Sequence, residues 1–197
     1  IKIFVMGGGS GEKNKDGRLE HGGKWRNEFE WPLARTKFTN YYFHRNGILS
    51  PNIPTDDQTC TKYIYDPKNP VPTISGNLSG LGEIIPMPEG VEGEPPPMTR
   101  LKNLNIQGGA HQSEYQGGFG CTPPYLPLSS RQDILVFQTD SLKQKIELTG
   151  PIKIKLWFSS TQVDTDITAK LLDIYPPSDY YQSGYHLNIC DGIIRAK

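Results

Sequence analysis

Residues 151–159 read Pro151-Ile152-Lys153-Ile154-Lys155-Leu156-Trp157-Phe158-Ser159, PIKIKLWFS. Ile152, Ile154, Leu156 and Phe158 take every second position, and Lys153, Lys155, Trp157 and Ser159 fill the positions between. Successive side chains of a strand point to opposite faces, so this alternation predicts a half-buried β-strand. Lys145–Leu148 precedes it across Thr149-Gly150-Pro151, which predicts a hairpin or corner. Further on, Asp166–Asp173 places Ile167, Ala169 and Leu171 on one face. Leu187–Cys190 and Ile193-Ile194 then read as a last pair of short strands split by the turn dipeptide Asp191-Gly192.

The rest of the chain has the same character with weaker signals. Ile1–Met6 is a short apolar run stopped by Gly7-Gly8-Gly9 and reads as a buried strand, followed by a polar loop over residues 7–24. Lys37–Phe43 is aromatic and β-prone, with Arg45-Asn46-Gly47 supplying an Asn-Gly turn behind it. Thr61–Tyr65 and Ile134–Gln138 are further short strand candidates. From Val71 to about Arg100 the composition turns to Pro, Gly and Glu, with Pro95-Pro96-Pro97 in its middle, and reads as a long ordered loop or insertion. Gly108-Gly109 and Gly117-Gly118 bracket another irregular segment up to Pro127. No stretch offers an amphipathic helix. The expected fold is mainly β, a jelly-roll β-sandwich with long Gly/Pro-rich loops. The last strand signal reaches Lys197 and the first residue is Ile1, not Met, so the sandwich is expected to be incomplete and the chain part of something longer.

Composition narrows the function classes. Lys plus Arg and Asp plus Glu both number 21 in 197 residues, so the formal net charge is zero and no footprint for nucleic acid is present. No apolar run approaches the roughly 18 residues of a membrane span. No leader pattern indicates a compartment. Cys60, Cys121 and Cys190 are widely spaced and odd in number, which argues for reduced structural thiols and against a disulfide framework or zinc site.

The chemistry-bearing residues do not assemble into a catalytic set. A nucleophile elbow needs G-x-S-x-G, but Ser10 has Glu12 in place of the second Gly and Ser79 has Asn77 in place of the first. GGGSGEK lacks the spacing of a phosphate loop. His21, His44, His111 and His186 are scattered without metal-ligand spacing, so no metal or cofactor is expected. His111 and Cys121 are close in sequence, yet sequence proximity does not make a thiol–imidazole pair. Asp164 and Asp166 read as turn-bonding aspartates ahead of a cation site. Asn77-Leu78-Ser79 is a glycosylation sequon that matters only in a secreted chain of a glycosylating host.

Several phrases taken in order resemble one family: IKIFVMGGG, WRNEFEWPLARTKFTNYYFHRNGILS, YIYDPKNPVPTISGN, DILVFQT, LTGPIKIKLWFSSTQVDTDITAKLLDIYPP and LNICDGIIRAK. They look like the C-terminal domain of the cocaine esterase, glutaryl acylase and X-Pro dipeptidyl-peptidase group of serine hydrolases. The resemblance covers Ile1 to Lys197. It implies a galactose-binding-like jelly roll at residues 36–197, joined through residues 1–35 to the end of an α/β-hydrolase core in the same polypeptide. It implies a small ester or amide substrate and no catalytic residue in this chain, because the family's Ser, Asp and His have no matching positions here. Gly76, Asn77, Leu78 and Ser79 would wall the substrate pocket. Homo-oligomerisation is left open. The competing expectation is a free-standing carbohydrate-binding or assembly module using Tyr115, Phe119, Tyr125, Tyr180 and Tyr181.

The decapeptide Lys24–Leu33, KWRNEFEWPL, carries two of the three tryptophans in a polar setting. Taken alone it suggests a binding platform. The resemblance makes it a junction, with Trp25, Trp31 and Pro32 as anchors. Trp31 is then expected to be mostly buried, with Arg26, Glu28 and Glu30 facing water or pairing locally.

Overall fold

A computed structural model describes residues 1–55, 60–74, 109–116, 118 and 120–197. Gly76, Asn77, Leu78, Ser79, Phe119 and most of the Pro-rich segment lie outside the described residues. The fold is mainly β. Among the described residues it holds antiparallel two-stranded ladders: β1 (Lys2–Gly8) with β2 (Gly22–Asn27), β3 (Tyr42–Phe43) with β4 (Leu49–Ser50), and β5 (Thr165–Tyr175) with β6 (Tyr185–Ala196). Contacts divide the chain into two compact units. One comprises Ile1–Gly8, Gly22–Ile64 and Gln132–Ser159, and the other Gly9–His21, Tyr65–Arg131 and Ser160–Lys197.

In the first unit, β1 and β2 pair with Phe4 opposite Trp25 and Lys2 opposite Asn27. Gly7 and Gly8 both face Gly22, a bulge that positive φ at all three positions permits. The ladder corrects two expectations. The first strand is not buried, since Phe4 and Met6 are both exposed. Trp25 sits in a strand and not in a loop, because its aromatic neighbour across the ladder gives a polar segment a reason to pair. The Asn-Gly signal is met: Asn46 (φ 61°) and Gly47 (φ 75°) turn the chain between β3 and β4, and Phe43 packs on Phe137 with ring centres 4.4 Å apart.

Residues 151–159 are the largest correction. All of them are exposed and none belongs to a strand. Among the described residues no ladder reaches them. Alternation records that a segment suits a pleated half-buried surface; a neighbouring strand must supply the pairing. Thr61–Tyr65, Ile134–Gln138 and Lys145–Leu148 fail for the same reason, apart from one isolated bridge between Ile48 and Gln138.

The second unit is built on the β5–β6 ribbon, whose register runs from Thr165 opposite Ala196 to Tyr175 opposite Tyr185. Asp191-Gly192 does not turn. Lys170 faces Asp191 and donates from Nζ to its Oδ2 at 2.8 Å, while Gly192 lies opposite Ala169, so β6 continues as one strand. The register skips Ile189, with Cys190 opposite Leu171 and Asn188 opposite Leu172. This bulge changes which side chains face inward: Tyr185 and Leu187 are buried before it, and Ile193 and Ile194 are exposed after it. Leu19, Tyr185 and Leu187 form the core with Tyr175 and Tyr181 packed around them. Leu19 arrives on a small hairpin whose turn is fixed by Asn14 Oδ1 accepting from the N–H groups of Asp16 and Arg18.

Candidate functional site

The Trp-rich decapeptide is organised by a charge network in the first unit. The Arg26 guanidinium donates to Glu147 at 2.9 Å from Nη1 and at 2.7 Å from Nη2, and its Nε lies 2.5 Å from Glu28 Oε1. Arg35 donates to the same Glu28 carboxylate through both terminal nitrogens, one of them at 2.9 Å. Thr149 Oγ1 donates to Glu147 at 2.8 Å, and Thr36 Oγ1 to the Thr149 carbonyl at 3.1 Å. Glu28 is buried and takes the second of the two expected courses, local pairing: the guanidinium groups of Arg26 and Arg35 replace its hydration. Hydrogen bonds from Arg26 hold the Glu147 carboxyl down to about 2 and raise Arg26 in return. The Arg35 hydrogen bond holds Glu28 below its ordinary range.

On this frame the aromatic side chains point outward. Trp25 meets Phe4 edge to face at 5.3 Å, and Lys2 Nζ lies 5.2 Å over the Trp25 ring. Phe29 is fully exposed and Pro32 follows Trp31 through a cis peptide bond. Trp31 is 53% exposed, so the expected burial is not found within this chain. The inward positions go instead to Glu28, buried against half-exposed Arg26 and exposed Arg35, and to Leu33, which at 5% exposure is the apolar anchor of the segment. The sequence pattern hides this, since a buried Glu flanked by Trp reads as a polar loop.

The second unit gathers a histidine and tyrosine cluster that sequence reading did not single out. His111 stacks on Tyr185 with centres 4.3 Å apart and planes 17° apart, and meets His186 edge-on at 5.8 Å. Its Nδ1 accepts from the His186 backbone N–H at 3.0 Å. Burial and then the neighbouring His186 push His111 below the ordinary imidazole range, and burial pushes the Tyr185 hydroxyl up to about 12. The Tyr185 hydroxyl donates to the Gly109 carbonyl. No thiol joins this cluster: Cys121 lies beside Tyr115, and burial raises its pKa, which suits an inert thiol. Asp166 is occupied by Arg195, at 2.7 and 2.8 Å. Among the described residues no group of metal-ligating side chains converges. Of the loop aromatics, Tyr180 is exposed, Tyr115 and Tyr125 are half-buried, and Tyr181 packs on Tyr185 with Lys13 over its ring.

The mainly β fold agrees with the comparison against known families. Residues 1–197 match the X-Pro dipeptidyl-peptidase C-terminal non-catalytic domain, and the chain belongs to that family. It is also 30% identical over 206 residues to the cocaine esterase of Rhodococcus sp. (strain MB1 Bresler), a match that takes in 100% of this chain. The chain spans 26% of the length of that relative. No solved structure matches it significantly.

Proposed function

We propose that residues 1–197 serve as the non-catalytic β-domain of a serine hydrolase that cleaves esters or amides, of acyl or X-Pro dipeptidyl type. The match of the whole chain to a non-catalytic domain family carries this reading. The nucleophile, its base and the oxyanion hole then belong to an α/β-hydrolase core elsewhere in the same polypeptide, where serine attack forms an acyl-enzyme that water releases. Residues 1–35 would close the core and lead into the β-domain, with residues 36–197 contributing part of a jelly roll.

Two roles follow for named residues. Trp25, Trp31 and Pro32 would pack on the core, and the exposure of both tryptophans leaves their faces available for it. Gly76, Asn77, Leu78 and Ser79 would wall the substrate pocket without taking part in the chemistry. Labelling the full-length protein with a fluorophosphonate and mapping the modified residue tests the main reading. The modified serine is expected outside residues 1–197, and one inside them would overturn it. For the wall, Leu78→Arg is expected to alter kcat/KM across a panel of esters and amides; identical constants would remove the role.

A further inference from the structure

We propose that the seam between residues 109–112 and β6 is an acid-released latch, with the His111 imidazole as its sensing group. His111 faces Leu187 in an antiparallel bridge. On either side, the Gln112 N–H donates to the His186 carbonyl at 2.9 Å and the Asn188 N–H donates to the Ala110 carbonyl at 3.0 Å. The His186 N–H donates not to a carbonyl but to Nδ1 of His111, at 3.0 Å. A ring nitrogen accepts only when it carries no proton, so the contact requires a neutral imidazole protonated on Nε2. A second proton must go to Nδ1, where it faces the His186 N–H as donor against donor.

Among the described residues nothing offers this cation compensation. Tyr185 lies flat against the ring, His186 is edge-on to it, and Tyr181 with Lys13 above it lies beyond Tyr185. Gln112 is neutral and buried at 1% exposure. The one charge acting on His111 from the described residues is that of His186, which opposes protonation as burial does. The folded protein thus binds this proton less readily than the unfolded chain. The contact is at full strength above the unfolded histidine value of about 6.5 and weakens as the pH falls below it. Release also reaches Ile74, whose carbonyl accepts from Gln112 Nε2 at 2.9 Å.

Hydrogen exchange of the His186 amide in the full-length protein, between about pH 7.5 and about pH 5, reads the latch directly. Its opening constant is expected to rise by up to about tenfold for each pH unit below about 6.5. In His111→Asn the amide oxygen takes the place of Nδ1 and does not titrate, so protection at neutral pH is expected to persist and its pH dependence to vanish. His186→Gln is expected to keep the dependence. A parent protein without it, or a His111→Asn variant that retains it, overturns the latch. Should His111→Asn fail to fold, nitrogen NMR of the histidine-labelled parent decides: His111 must be the Nε2–H tautomer at neutral pH, and a proton on Nδ1 there refutes the proposal.

Discussion

Arg26 and Glu147 lie 121 residues apart in sequence and meet through two hydrogen bonds, at 2.9 and 2.7 Å. The pair ties β2 to the segment ahead of residues 151–159, and it does so at a half-exposed carboxylate. Because Arg26 holds Glu147 near 2, the carboxylate is favoured in the folded chain, and its contribution is complete above the unfolded value of about 4.5. That contribution is lost as the pH falls from there toward 2. In Arg26→Met, Glu147 is expected to titrate closer to an ordinary glutamate, as read by carboxyl NMR. An unmoved Glu147 would assign its shift to Thr149 instead.

Two glycines make opposite demands. A Cβ on Gly109 would lie 2.2 Å from Cδ1 of Leu187, and Leu187 is 1% exposed, so the methyl has nowhere to go. Gly109→Ala is expected to destabilise by about 1–3 kcal/mol, the usual cost of overpacking. A Cβ on Gly192 meets nothing within 4 Å. Gly192→Ala is expected to be neutral or to stabilise by up to about 1 kcal/mol, because it restricts the unfolded chain. Urea melts of the two variants beside the parent check the contrast, and equal losses would contradict the placement of Gly109 against Leu187.

The same two glycines show what could be read from the sequence. Gly192 follows Asp191, and Asp-Gly between apolar pairs is a turn signal; the structure runs a strand through it because Lys170 across the ladder satisfies Asp191. Local turn chemistry lost to a cross-strand ion pair that the sequence does not reveal. The mainly β class and the Asn46-Gly47 turn were legible, since both rest on local preference. Residues 151–159 were not, since their alternation specifies a face and leaves open which strand, if any, lies beside it. The candidate site divides in the same way. Trp25 and Trp31 drew notice by rarity, whereas Arg26 and His111 owe their positions to partners brought in from other parts of the chain.

Leu19 is a further case of a core residue within a polar stretch. Its hairpin delivers it to 4% exposure against Tyr185 and Leu187, making it one of few buried apolar side chains among the described residues of its unit. Leu19→Ala leaves a cavity that a rigid hairpin cannot collapse, and a loss of about 2–5 kcal/mol is expected. A loss below about 0.5 kcal/mol in chemical denaturation would place Leu19 on an ordinary surface.

The junction role of Trp31 makes a demand that this chain alone does not meet. Its indole is 53% exposed here, and Trp157, at 83%, is the comparison within the same chain. A tryptophan packed on a core domain is shielded in the intact polypeptide, whereas one serving only as a surface residue is not. Hydroxyl-radical footprinting of the full-length protein is expected to oxidise Trp31 more slowly than its exposure here implies. In thermal unfolding, Trp31→Ala is expected to cost more than the roughly 0.5 kcal/mol typical of surface changes. The burial of one large aromatic on an interface sets the scale, at roughly 1.5–3 kcal/mol. Oxidation of Trp31 in proportion to its exposure here, together with an unchanged melting temperature, would show that the segment is not the seam between domains.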